Sequence, residues 1–187
     1  MTLSVSVSFP DEMIASFPNS ALPKITLGPH YEILVELRDA QKGNYTSIPS
    51  RRGGGTYGYL GGLQPNAVYS IVAPGTAFVV PSNPGPLAIL EGTNSVNSGN
   101  LNRDHSKAVS EFKEWVNLDS AGKKQIMEAV SKTFLSGVFD HNQGFAHLCV
   151  RNIIANLFTE YVEVEYQDHV GNRSKLSEPW DANQPFQ

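Results

Sequence analysis

Residues 47–63 read Ser-Ile-Pro-Ser-Arg-Arg-Gly-Gly-Gly-Thr-Tyr-Gly-Tyr-Leu-Gly-Gly-Leu, and no other stretch constrains the fold as much. Glycine loses more backbone freedom on folding than any other residue, so six glycines in these seventeen positions argue against a regular helix or strand. Yet Tyr57, Tyr59 and Leu60 are too bulky for a plain flexible linker. Such a segment is either a ligand-cradling loop or an ordered hinge packed on a helical core.

The ligand reading is tested first. Gly53, Gly55 and Gly58 satisfy G-x-G-x-x-G, but that fingerprint needs a strand before it, a helix after it and an acidic residue about 20 positions on. Tyr45–Pro49 is short and broken by proline, and no Asp or Glu occurs between Asp39 and Glu91. The Gly-Lys-Ser/Thr ending of a phosphate loop is absent. Arg52-Gly53-Gly54 resembles one unit of an RGG RNA-binding tract, but such tracts work through many weak contacts in series, and one copy is poor evidence. The segment is therefore read as an ordered hinge, its rings packed on a helix and its glycines in conformations closed to other residues.

Along the chain, residues 1–24 read as an extended or partly ordered arm, with Leu3, Val5 and Val7 alternating as in a short strand. A helix starts after Pro29, with Tyr31, Leu34, Val35 and Arg38 on one face and Ile33 and Leu37 broadening it; Gly43 supplies its stop. Pro65–Val72 reads as a short helix stopped by Pro74-Gly75. Residues 76–100 read as a non-helical connection punctuated by Pro81, Pro84 and Pro86, with Asn94–Asn100 as a polar loop.

The second half changes character: helical patterning dominates from Leu101 to Val164. Val109, Phe112, Trp115 and Val116 form one stripe, and Ile126, Met127, Val130 and Phe134 continue the period. Asp119-Ser120 either breaks this run or is passed through. Gly137 and Asp140–Gly144 end it. Val150, Ile153, Ile154, Leu157, Phe158 and Tyr161 then make a full amphipathic face. The expected fold is mainly α: a small helical bundle in the C-terminal half, with a Gly/Pro-rich, partly extended N-terminal half. The expected organisation is a helical domain over 25–166, including the glycine-rich loop 51–62, and a polar tail over 167–187.

The formal net charge of −4 makes no electrostatic case for nucleic acid, and Arg51-Arg52 and Lys123-Lys124 read as solvated surface. The single Cys149 cannot form an internal disulfide and reads as a structural thiol. No signal-peptide pattern opens the chain and no apolar run approaches the ~20 residues of a membrane span, so a cytoplasmic protein without membrane contact is expected. His30, His105, His141, His147 and His169 are scattered, with no H-E-x-x-H or C-x-x-C spacing, and read as surface or helix-capping groups. Glu111, Glu114 and Glu128 read as solvated, and no G-x-S-x-G elbow is present. No catalytic, cofactor-binding or metal-binding residue is assigned, and the expectation is a protein that is not an enzyme.

Several blocks, in this order, carry a family likeness: Ile25–Glu32, Ser47–Gly61, Asn83–Pro86, Leu118–Val130 with its Lys-Lys-Gln, Gly144-Phe145-Ala146 leading to Leu157–Tyr161, and Glu178–Asp181. In their order and spacing they resemble the N-terminal Gag-like region of copia-type long-terminal-repeat retrotransposons, especially those of algae and other protists. The likeness spans about residues 22–183. Gly122 departs from it, standing where the family pattern has a larger residue, and no zinc knuckle follows. The resemblance implies a capsid-type half-domain that associates with itself, a fragment or degenerate copy; the family's nucleic-acid role is not carried over. The alternative readings are a small stand-alone module that binds a host protein, and an enzyme using the glycine loop for a nucleotide.

The amphipathic face over 150–161 generates a direct test. Ile154 sits in its middle, and a buried unpaired carboxylate costs several kcal/mol. Ile154→Asp is expected to lower the thermal midpoint sharply or to abolish cooperative unfolding; an unchanged melt would show that the face is not buried.

Overall fold

A 35-residue helix, Ser95–Ala129, is the longest element of the molecule. The computed structural model of the chain describes residues 9–51, 56–75, 77–88 and 95–163. In chain order the helices are α1 (Phe9–Ser16), α2 (Tyr31–Ser47), α3 (Leu60–Leu63), α4 (Asn66–Val72), α5 (Ser95–Ala129) and α6 (Val150–Phe158). A 3-10 segment, Lys132–Val138, follows α5, and a π-turn, Thr159–Glu163, extends α6. The protein is mainly α-helical, and among the described residues it has no β-strand, only the isolated bridges Ile25–Val130 and Asp140–Gly144.

α6 follows the expectation closely. Val150, Ile153, Ile154 and Leu157 are all buried, and Phe158 and Tyr161 pack against the core from its edge. Burying one such side chain contributes about 1.5–3 kcal/mol, so this face is a principal source of stability.

Other elements depart from the sequence reading. Phe9–Ser16, within the segment expected as an extended arm, is helical; Asp11 pairs with Lys124 of α5, and Phe17 and Leu22 enter the core. The alternation of Leu3, Val5 and Val7 lies outside the described residues. α2 does not stop at Gly43 but runs to Ser47, because Asn44 and Tyr45 beyond it are fully buried. That packing outweighs the roughly 1 kcal/mol helix cost of one glycine.

α5 begins at Ser95, through residues expected as a polar loop. Its N-terminal turns are largely exposed and draw their helicity by propagation from the packed C-terminal part, where nucleation is already complete. Asp119-Ser120 does not break α5. The helix instead ends at Ala129, earlier than the apolar period suggests. There Val130 N donates to Ile126 O, and Ser131 N donates to Ile25 O at 3.1 Å while Ile25 N donates to Ala129 O at 2.8 Å. The chain leaving Pro23 thus captures the backbone groups that another helical turn would use.

Three elements meet through a buried set of amides. Gln41 and Asn44 of α2 both donate to Gln125 Oε1 of α5, at 3.2 and 3.0 Å. Gln125 Nε2 donates to the carbonyls of Asn19 and Ser20, each at 2.9 Å. Asn19 N in turn donates to Asn44 Oδ1 at 2.9 Å, and Asn44 Nδ2 to Asn19 O at 3.0 Å. α2 and α5 approach closely at Gly122, where an added Cβ would lie 2.9 Å from Val150 Cγ2 and 3.0 Å from the Tyr45 hydroxyl. A larger residue in place of this glycine, the position that departs from the Gag-like pattern, would force Val150 or Tyr45 to shift.

Gln125→Leu would leave several buried amide donors and carbonyls without partners. Each lost hydrogen bond of this kind costs about 1 kcal/mol, and more when a buried group is stranded. Denaturant unfolding is expected to show a loss of about 3 kcal/mol. A loss within about 0.5 kcal/mol, the range of ordinary surface substitutions, would show that the network is dispensable.

Candidate functional site

The glycine-rich segment is held by a run of aromatic rings. Tyr45 of α2 meets Trp115 of α5 edge-on at 6.2 Å between centroids, and Trp115 meets Tyr59 at 6.0 Å. Tyr59 meets Phe78 at 6.1 Å, Phe78 meets Tyr69 of α4 at 5.9 Å, and Tyr69 meets Tyr57 at 6.4 Å. Such pairs contribute about 0.5–1.5 kcal/mol each beyond their buried area. Where the chain reverses, Gly58 adopts φ +47°, the left-handed region, and Tyr59 N donates to Tyr45 O at 2.8 Å.

Gly61 and Gly62 lie inside α3, a one-turn helix in a stretch expected to exclude helix. A Cβ on Gly61 would overlap Phe78, and one on Gly62 would overlap the Trp115 ring. Ring contact explains these glycines without a ligand. Gly53 and Gly55, two of the three fingerprint glycines, lie outside the described residues.

Beside the hinge is a polar cleft of about 830 Å³, between Pro49, Ser50, Arg51 and Tyr59 on one side and the middle of α5 on the other. Arg103, Lys107, Glu111 and Glu114 line it along one face of α5, and Arg51 lines it from the segment after α2. Glu114 is not simply solvated, as the sequence reading has it: its Oε2 accepts the Tyr59 hydroxyl at 2.8 Å. Burial, reinforced by this carboxylate, pushes the Tyr59 phenol well above its ordinary range. The Tyr59 hydroxyl therefore donates to Glu114 as the neutral phenol.

A second constellation was also missed by reading Lys123-Lys124 as free surface. Asp119 Oδ1 accepts the Val150 amide at 2.9 Å, satisfying one of the open donors at the start of α6. Its Oδ2 pairs with Lys123 Nζ at 2.8 Å, and Lys123 also donates to Leu148 O at 2.8 Å. The i, i+4 spacing of Asp119 and Lys123 was visible in the sequence; that both reach across to α6 was not. Tyr45 lies fully buried beside this pair, and burial, with the nearby Asp119, raises its pKa strongly. Cys149 is a half-buried free thiol at the N-cap of α6.

The histidines are dispersed. His30 caps α2 by accepting from Ile33 N at 3.4 Å, His105 contacts Gly85 O at 2.8 Å, and His141 and His147 are exposed. His169 lies outside the described residues. Among the described residues no three His, Cys, Asp or Glu side chains converge as a metal site.

A third feature is an apolar groove of about 750 Å³ between α5, the 3-10 segment and residues 139–146. Met127, Leu135, Phe139, Phe145 and Ala146 form its walls. Among the described residues no helix is long and apolar enough to cross a membrane. The chain matches no protein-family model, no curated protein and no solved structure.

The tyrosines generate a pH prediction. Tyr45, Tyr59, Tyr69 and Tyr161 are all pushed up, chiefly by burial, so the folded chain holds these phenolic protons more tightly than the unfolded chain. The stabilisation is complete below the unfolded value of about pH 10 and is lost as pH rises from there toward the folded values. Thermal midpoints should fall above about pH 10. Tyr59→Phe should make that alkaline fall shallower, even if it lowers stability at neutral pH. An identical slope in the variant would show that Tyr59 titrates normally.

Proposed function

We propose that this chain is a non-enzymatic, Gag-like structural protein of the cytoplasm that associates with copies of itself, as its resemblance to copia-type Gag regions implies. The observation that supports this reading is the outward face of α4. Tyr69 and Ala73 turn inward and are buried, while Val68, Ile71 and Val72 share the opposite face and are exposed. Ile71 is 78% exposed, and Val79 and Val80 beyond the helix are exposed as well.

Apolar side chains exposed together, when contiguous, mark contact sites on soluble proteins. The face is rigidly presented, because Tyr69 is locked between Phe78 and Tyr57. A single apolar face can meet its own copy about a two-fold axis, the commonest symmetry of soluble oligomers. The nucleotide-enzyme alternative is disfavoured by the sequence, which lacks the strand, helix and downstream acidic residue that a dinucleotide fingerprint needs. The host-binding alternative would use the same face, and purified protein separates the two.

Size-exclusion chromatography with light scattering across concentration should show mass rising with concentration. Ile71→Asp should weaken association at least about tenfold, as expected for a charge placed in an apolar contact. Because Ile71 is exposed, the melt of the monomer should hardly change. A mass that stays monomeric at every concentration, or one unaffected by Ile71→Asp, would refute the proposal.

A further inference from the structure

The apolar groove is built from elements that the self-association reading does not use. Its floor is Leu135, fully buried in the 3-10 segment. Phe139 and Phe145 meet edge-on at 5.3 Å on one side, and His141 stands edge-on to Phe139 at 5.9 Å. The turn carrying them is closed by paired backbone bonds, Asp140 N to Gly144 O at 3.1 Å and Gly144 N to Asp140 O at 2.7 Å. Asp140 Oδ1 also accepts the amides of Asn142 and Gln143, at 2.7 and 2.8 Å. These bonds hold the turn in shape, and Phe139 and, from α5, Met127 are 47% and 43% exposed at the groove. Covering such side chains with an apolar body is favourable in proportion to the area removed from water.

The charge of the groove is one-sided. None of the side chains that line it is acidic. Of its two lysines, Lys123 is matched by Asp119, whereas Lys132 is exposed and has no ion-pair partner among the described residues. Ser120 and Ser136 add hydroxyls to the lining. A volume of about 750 Å³ lies within the range of pockets that hold small molecules, roughly 300–1,000 Å³. An apolar, half-open cavity with a single unmatched cation fits a ligand with one negative charge on an apolar chain.

We propose that this groove binds a small amphipathic carboxylate, with its aliphatic chain against Phe139, Phe145, Leu135 and Met127 and its carboxylate at Lys132. A neutral amphiphile of the same length would keep the apolar contact and lose the ionic one. A cationic one would meet Lys132 as a like charge.

The test uses the full chain and octanoate as the probe, titrated calorimetrically at neutral pH beside 1-octanol and octylammonium. Octanoate should saturate a single site. Octanol and octylammonium should bind more weakly, and Lys132→Gln should weaken octanoate by up to about fivefold, the size of a partly exposed ion pair, while leaving octanol unchanged. Ala146→Trp, at an exposed position, should fill the groove and abolish binding of all three without altering the melt. Octanoate that does not saturate, that binds no better than octanol, or that ignores either variant would overturn the proposal. Light scattering on the same samples reads self-association separately, so failure of one reading is distinguishable from failure of the other.

Discussion

Gln125 is the point on which the architecture turns. Its side-chain amide has one oxygen and one nitrogen, and it spends the first on two donors of α2 and the second on two carbonyls of the chain after α1. An unsatisfied buried amide is costly, so the satisfied oxygen and nitrogen of Gln125 favour this relative placement of the three segments, although the Gln41 Oε1 beside it has no partner among the described residues. Apolar contacts alone would tolerate sliding of α2 along α5; directional hydrogen bonds do not. The close approach at Gly122 depends on the same placement, because Gln41, Tyr45 and Val150 all border that position.

The aromatic run extends this fixed point into the glycine-rich half. Trp115 is the hinge between the two, touching Tyr45 on the helical side and Tyr59 on the other. Through Phe78 and Tyr69 it determines how α4 presents Val68, Ile71 and Val72. The proposed association face therefore draws its rigidity from rings, in a part of the chain with little helix of its own. One turn further along α5, Asp119 and Lys123 anchor the start of α6, and Lys123 then forms part of the apolar groove's wall. One helix organises both surfaces, with separate residues serving each.

The functional surfaces were less legible in the sequence than the fold. The ring packing around Tyr59 agrees with the hinge reading for the described part of the glycine-rich segment. Glu114, Lys123 and Lys124 were read as solvated because single charged residues carry no mark of a distant partner. Each has one: Tyr59, Asp119 with Leu148, and Asp11. The groove was invisible in the sequence, since Met127 and Phe139 belong to different local patterns and share a wall only after the chain turns at Ala129.

What the sequence determined by itself was the helical class and the buried face of α6, because a repeat near 3.6 residues is a local property that burial on one side makes unambiguous. It also located the short helix ending at Val72, through proline before it and Pro74-Gly75 after it. Tertiary structure alone decided where the helices stop. α2 passes Gly43 because Asn44 and Tyr45 are needed in the core, and α5 ends at Ala129 because the chain at Ile25 takes its backbone bonds. It alone decided that Gln41, Asn44 and Gln125 are buried, since a polar side chain in a helix reads as solvent-facing until its partners, some 80 to 106 residues away, come within reach. Local periodicity records which face is apolar. Directional bonds between distant segments record how the faces meet, and no short window of the chain contains both partners.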